Sequence, residues 1–441
     1  MRTLIKDALI VTMDRQDTVE QGNLLVENDK IIYRGPDQPQ ANLVISGAGK
    51  MLIPGLVQTH VHLPQAIFRG QADDMELLTW LKARIWPLEG AHDEESIYYS
   101  AQLALGEMIL GGTTSIVDME TVHHAGSAFE AIRESGIRAI CGKVMMDKGA
   151  DIPATLQEST EQSLQQSVDL LERWHQRENG RIQYAFTPRF VLSCSEELLK
   201  EVVALSVGYK VKIHTHASEN RSEIKLVESE KGMKNILYLD HLGLASPDLI
   251  LAHCIWVDDQ ELDVLEKKQV KVAHCPGSNL KLASGIAPIP QMLARGINVS
   301  LGADGAPCNN NLDIFQEMRL AALIQKPLQG PTVMAAREVF RLATMGGAEA
   351  MGLEDQIGSI ETGKKADLVL VSLDGMHANP VSTVDPYSLL VYSLRSSDVT
   401  MTMVDGQVLM DNRSLKTIEQ ERVIKTCNSL IKKLRQRAGI D

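Results

Sequence analysis

Through the middle of the chain, short apolar runs alternate with longer stretches of helical spacing. The runs are LVQTHVH (56–62), TSIVDM (114–119), RAICGKVM (138–145), IQYAFTPR (182–189), VKIHTHASE (211–219), LILAHC (249–254), VKVAHC (270–275) and NVSLGADG (298–305). Tyr99 to Leu110 shows the amphipathic helical pattern expected between such runs. Short parallel strands joined through helices need both faces covered, so eight units predict a closed (β/α)8 TIM barrel over residues 55–356.

The two ends of the chain resemble each other instead. Residues 3 to 53 carry ALIVTM, NLLVEN and KIIYRG between polar turns, and residues 359 to 410 carry ADLVLVSL, VTMTMVDG and QVLM. Segments 1–54 and 357–415 are therefore expected to pair into one small β-sandwich domain. The remaining stretch, 416–441, has helical spacing with many charges from Ile418 to Ala438 and predicts a surface helix. In MRTLIKDALIVTMD the apolar stretch is broken by Asp7 and no small-residue cleavage site follows, so it reads as a strand of the mature protein.

Composition narrows the class of partner. The 441 residues are 44% hydrophobic and 23% charged, ordinary for a soluble globular chain, with a formal net charge of −13. That acidity argues against a nucleic-acid or anionic-membrane surface, both of which need clustered Lys and Arg. A small-molecule substrate fits better. The six cysteines show no CxxC spacing, which in a chain this long suggests reduced thiols and a cytoplasmic setting.

Polar residues gather where the predicted strands end, the face on which such barrels build their sites. The first strand gives His60 and His62, the fifth His214, His216 and Glu219, the sixth His253 and the eighth Asp304. Imidazole and carboxylate together are ligands for a divalent ion with an open coordination position. Singly, each has a plain structural reading: His253 as a core histidine, Asp304 as a cap, His214 and His216 as a hydrogen-bonded pair. Their joint placement at strand ends favours one metal site.

PGLVQTHVH, HTHASEN, LAHC and SLGADGAPCNN resemble the metal-dependent amidohydrolase superfamily, in the branch of aminopurine deaminases and triazine hydrolases. The resemblance implies that His60, His62, His216 and Asp304 bind one divalent metal per subunit, Zn²⁺ first, with Fe²⁺ or Mn²⁺ able to use the same ligands. It implies that Glu219, His253 and Asp304 are catalytic and move protons, and that His214 is structural. No lysine on the fourth strand stands where binuclear relatives carry a bridging group, so a mononuclear site is expected. Relatives of this kind are commonly homo-oligomers.

The substrate implied is an amino heterocycle. RGQADDMELLTWLKARIWPLE, HCPGSNLKLASGIAPI and GADGAPCNNNLDIFQEMRLAALIQK resemble deaminases of adenosine derivatives, whereas GKVMMD, TPRFVLSCS and SENR are more similar to guanine deaminase. Glu89 matches an acidic residue that accepts ribose hydroxyls in the first group. Arg189 and Gln65 suit the second, and Trp86 is a further candidate contact beside Trp80. Lys143 stands where enzymes acting on S-adenosylhomocysteine place an arginine. An adenosine derivative with a small uncharged 5′ end, 5′-deoxyadenosine first, is expected; guanine or 8-oxoguanine is the alternative, then triazines and other cyclic amidines. His123, His124, Asn279 and Asn309 fit loop or pocket roles equally.

Other classes fare worse. A cytidine-deaminase zinc fold needs H-x-E and a later P-C-x-x-C, which are absent. GAGKM near residue 47 lacks the spacing of a phosphate loop. A non-catalytic scaffold on the same barrel would be expected to lose ligands, and all are present.

Overall fold

The computed structural model describes residues 1–149 and 152–440. Its central feature is a ring of parallel strands in chain order: Leu56–His62, Thr113–Met119, Arg138–Gly142, Ile182–Pro188, Lys212–Ala217, Leu249–His253, Lys271–His274 and an eighth in two pieces. Val299–Leu301 pairs with the seventh strand, while Asp304–Gly305 pairs with the first and closes the ring. Between the pieces lies Gly302, where a Cβ would stand 2.6 Å from the carbonyl oxygen of His60. Only glycine lets the eighth strand approach the first this closely.

The two ends of the barrel are filled differently. Val57, Val117, Ile140, Ala185, Ile250 and Ala273, one from each of six strands, form an apolar layer sealed by Ala348, Met351, Leu353 and Ile357. Three residues beyond Val57 and Ile250, on the first and sixth barrel strands, stand His60 and His253. The core therefore supports the base of a site that opens at the strands' C-terminal ends.

The chain ends meet as the sequence implied. Lys50–Pro54 pairs antiparallel with Leu368–Ser372, Leu52 opposite Leu370, joining N- and C-terminal strands into one nine-stranded mixed sheet. Its inner face, including Ile5, Ile10, Leu24, Ile31, Leu368 and Met403, forms a cluster to which no helix contributes. Arg138, at the foot of the third barrel strand, ties the two units together: its guanidinium lies 2.8 Å from Asp367 and 2.6 Å from Asp405, almost wholly buried.

The C-terminal helix spans Gln420–Ala438 and buries Val423, Cys427, Leu430 and Leu434, a helical stripe laid on the helix Glu94–Leu110. All six cysteines are free and buried. Among the described residues no helix is long and apolar enough to cross a membrane.

Candidate metal centre and active site

At the C-terminal end of the barrel three imidazoles have their tautomers fixed by what lies behind them. His62 donates Nδ1–H to the carbonyl of Met119 at 2.8 Å, and His216 donates its own to the carbonyl of Arg189 at 2.7 Å. His60 is held through one further residue. His214 gives its Nδ1–H to the carbonyl of Ile250 at 3.0 Å, so its Nε2 can only accept, and the Nδ1–H of His60 reaches it at 2.8 Å. Each of the three rings therefore turns an Nε2 lone pair inward.

Those lone pairs converge. Nε2 of His62 and of His216 are 3.3 Å apart, and with both Nδ1 positions protonated neither has a hydrogen to offer the other. Nε2 of His60 has no hydrogen-bond partner although fully buried. Oδ1 of Asp304 stands 3.3 Å from Nε2 of both His60 and His62. The donor atoms of His60, His62 and Asp304, and those of His60, His216 and His253, lie within 4.8 Å of one another. Burial, the largest cause, lowers the pKa of all three rings, that of His62 to about 4 with the neighbouring His60 adding to it. Burial pushes the Asp304 carboxyl up, but the imidazoles of His60, His253 and His62 outweigh it and hold it well below the usual range. Neutral imidazoles whose inward Nε2 lone pairs have nothing to accept from, together with one carboxylate, fit a divalent cation.

Backbone strain marks the same place. His253 has φ 74° and Asp304 φ 63°, left-handed values that non-glycine residues rarely adopt. His253 donates Nδ1–H to Oδ1 of Asn279 at 2.9 Å, which leaves its Nε2 facing Oε2 of Glu219 at 3.6 Å and Oδ2 of Asp304 at 3.9 Å. Burial, reinforced by Asp304 and opposed by Arg189, holds the Glu219 carboxyl well above the usual range. Oδ2 of Asp304 accepts from Ser278 Oγ at 2.6 Å.

The cavity above this cluster is lined by His62, Gln65, Arg189, His216, Glu219, His253 and Asp304, with Leu77, Trp80, Leu81, Phe190 and Leu282 as its apolar roof and wall. Larger grooves elsewhere, one of them between the helix Glu94–Leu110 and the C-terminal helix, bring no such donor set together.

The remaining expected residues are distributed as follows. Arg189 and Glu89 meet each other, Nη1 to Oε2 at 2.6 Å, and Gln65 donates Nε2–H to Glu89 Oε1 at 2.9 Å. Trp80 lines the cavity, while Trp86 lies behind it in the apolar cluster with Ile85, Met119 and Met146. Lys143 is fully buried and spent on Glu158 at 2.6 Å. His123 and His124 do not line the cavity. Asn279 orients His253, and Asn309 donates to Ala303 O and Glu317, tying down the loop after the eighth strand.

Two supporting residues were missed in the sequence. Ser278 had no pattern to announce it. Glu223 did: it is the fourth residue of an Asn-x-x-Glu capping box from Asn220, and its Oε2 accepts the backbone N–H of Glu219 at 2.9 Å, fixing that residue's place.

A parallel barrel with a His/Asp donor set at its strand ends and a carboxyl beside it defines a metal-dependent hydrolase of the amidohydrolase type. The chain belongs to the amidohydrolase family, whose model matches residues 51–409. It is 39% identical over 437 residues to a 5′-deoxyadenosine deaminase of Methanobrevibacter smithii, covering 98% of both chains. It is 37% identical to a 5-methylthioadenosine/S-adenosylhomocysteine deaminase of Moorella thermoacetica, over 96% of this chain and 97% of the relative. Among solved structures, an adenosine deaminase from Xanthomonas campestris with bound zinc superposes with a TM-score of 0.92 at 30% identity, covering 98% of each chain.

Proposed function

We propose that the protein is a hydrolytic deaminase that replaces the 6-amino group of an adenosine derivative, 5′-deoxyadenosine first, by a carbonyl oxygen with release of ammonia. The observation that carries this reading is the set of three tautomer-fixed Nε2 lone pairs converging with Asp304 Oδ1 beside the Glu219 carboxyl, whose pKa burial raises. The near-full-length similarity to adenosine-derivative deaminases supports the substrate class.

His60, His62, His216 and Asp304 would hold the metal, with zinc favoured by the related structure. When bound, such an ion lowers the pKa of water from 15.7 to about 7 and so supplies hydroxide at neutral pH. The chain's own groups then manage protons. Glu219, whose carboxyl pKa burial and Asp304 raise so that it can hold a proton, takes the first proton of that water and passes it to the ring nitrogen next to the amino-bearing carbon, which draws off charge as the oxygen adds there. His253, its ring held by Asn279, is placed between Glu219 and Asp304 to hydrogen-bond the incoming oxygen. Asp304 Oδ2 takes the remaining proton of that water and returns it to the leaving amine. The net change is loss of ammonia and gain of one oxygen from water.

The cavity encloses only about 30 Å³, against the roughly 300 Å³ or more of a drug-sized site. A purine therefore enters only with a rearrangement of the wall, of which Leu77, Trp80 and Leu81 form part. Lys143, paired with Glu158, offers no free cation for a charged 5′ tail, which supports a small uncharged 5′ end. A second reading, guanine deaminase, is favoured by one observation: Arg189 and Gln65 line the cavity while Glu89 is engaged by both. Ammonia release from 5′-deoxyadenosine, 5′-methylthioadenosine, adenosine, S-adenosylhomocysteine, guanine and 8-oxoguanine by zinc-loaded protein separates the two. The first reading expects 5′-deoxyadenosine to lead in kcat/KM; guanine turnover with inert nucleosides would overturn it.

A further inference from the structure

Glu89 stands behind two residues that line the cavity, and three hydrogen bonds already fill most of the acceptor capacity of its carboxylate. Arg189 grips it with two nitrogens, Nη1 to Oε2 at 2.6 Å and Nη2 to Oε1 at 3.3 Å. Gln65 Nε2 donates to Oε1 at 2.9 Å. The side chains of Arg189 and Glu89 are 5% and 2% exposed. Gln65 and Arg189 line the catalytic cavity and Glu89 stands behind them.

The orientation of Gln65 follows from this pairing. A carboxylate can only accept, so the amide nitrogen faces Glu89 and the carbonyl oxygen faces the other way. That oxygen is buried without a donor. A Cβ added to Gly305 would fall 2.0 Å from it, so it points toward the Asp304–Gly305 strand piece, the reacting end of the cavity. The wall thus shows a substrate one neutral acceptor at the chemical end and a guanidinium, with its carboxylate covered.

Glu89 is 2% exposed and does not line the cavity, so a sugar hydroxyl approaching it from there meets its partners first and must displace Gln65 or the bidentate arginine. The latter would leave two buried charges unpaired, a cost larger than one hydroxyl–carboxylate hydrogen bond returns. We propose that Arg189 takes Glu89 out of sugar recognition, so that turnover is indifferent to the 2′- and 3′-hydroxyls of a nucleoside and Glu89 serves as a positioning residue for Gln65 and Arg189. The inference rests on the deaminase reading and sharpens its substrate class: the base, not the ribose, is what this pocket selects.

The test compares kcat/KM for 5′-deoxyadenosine, 2′,5′-dideoxyadenosine and 3′,5′-dideoxyadenosine, with guanine alongside, using the zinc-loaded full chain. Removal of either hydroxyl is expected to change kcat/KM by no more than about threefold. A hydroxyl bound to a buried carboxylate would cost about 10- to 100-fold on removal, and such a loss overturns the proposal. Glu89→Gln supplies the second readout: it is expected to lower kcat/KM for all three nucleosides by the same factor, whereas a selective loss on the hydroxyl-bearing substrate would sink the idea. Ammonia from guanine alone would overturn the nucleoside reading and this proposal with it, whereas a hydroxyl-dependent loss among active nucleosides overturns the proposal alone.

Discussion

Replacing His214 with leucine removes the acceptor for the Nδ1–H of His60, 2.8 Å away in a fully buried position. His60 then has two courses. It can keep its tautomer and leave a buried N–H without a partner, at about 1–3 kcal/mol. Or it can move the proton to Nε2 and lose the lone pair that faces Asp304. Either course is charged against the metal-bound form, because only that form requires the Nε2 lone pair. Loss of such a supporting partner costs about 10- to 100-fold in metal affinity, which is about 1.4–2.7 kcal/mol. His214→Gln is the companion variant, since its amide oxygen can reach the position of Nε2 and restore an acceptor. Competition of each protein with a fluorescent zinc chelator reads the affinity directly, and the difference in Tm between zinc-free and zinc-loaded protein reads it independently. The expected order is wild type, then His214→Gln, then His214→Leu. A folded His214→Leu protein that binds zinc within twofold of wild type would refute the tautomer argument.

Three further outcomes are expected. Glu219→Gln keeps the shape of the side chain but cannot pass a proton, so kcat should fall about 10²–10⁴-fold with zinc content unchanged; activity within tenfold of wild type would remove Glu219 from its role. Arg138→Met leaves the buried Asp367 without its cation in the seam between barrel and sheet, while Asp405 keeps Lys365 at 3.5 Å, and urea unfolding should show a loss of about 3–5 kcal/mol; a loss under about 1 kcal/mol would mean the seam does not depend on the pair. Asp93 caps the helix Glu94–Leu110: burial pushes its carboxyl up, but Ser96 and Arg437 prevail and hold it at about 2. Its folded pKa lies below the unfolded one, so its stabilisation is present above about pH 4 and lost as pH falls towards 2; Asp93→Ala should cost about 1 kcal/mol at neutral pH and flatten the acid limb of the zinc-free protein, and an unchanged acid limb would count against it.

The barrel was legible because its strands are buried on both faces and so read as apolar runs whose polar residues collect at one end. All eight runs are strands, the last split at Gly302, a break that depends on the backbone of His60 and so has no local signature. The candidate metal donors were legible for the same reason, since polar residues interrupt the apolar pattern where strands end. What surrounds them was not. Arg189 and Glu89 stand 100 positions apart and each looked like a substrate contact; that one silences the other follows only from their meeting in space. His214 carries the same lesson within three residues. Sequence spacing put it on the same face as His216, and the fold then gave the two opposite duties, one ring turning its Nε2 lone pair into the centre, the other giving its Nε2 lone pair to His60. The difference lies in which backbone carbonyl each ring meets, Ile250 for His214 and Arg189 for His216, and it is the register of neighbouring strands that decides this. A metal site of this kind is therefore specified twice, once by residue type along each strand and once by strand register, and only the first is written in the order of the amino acids.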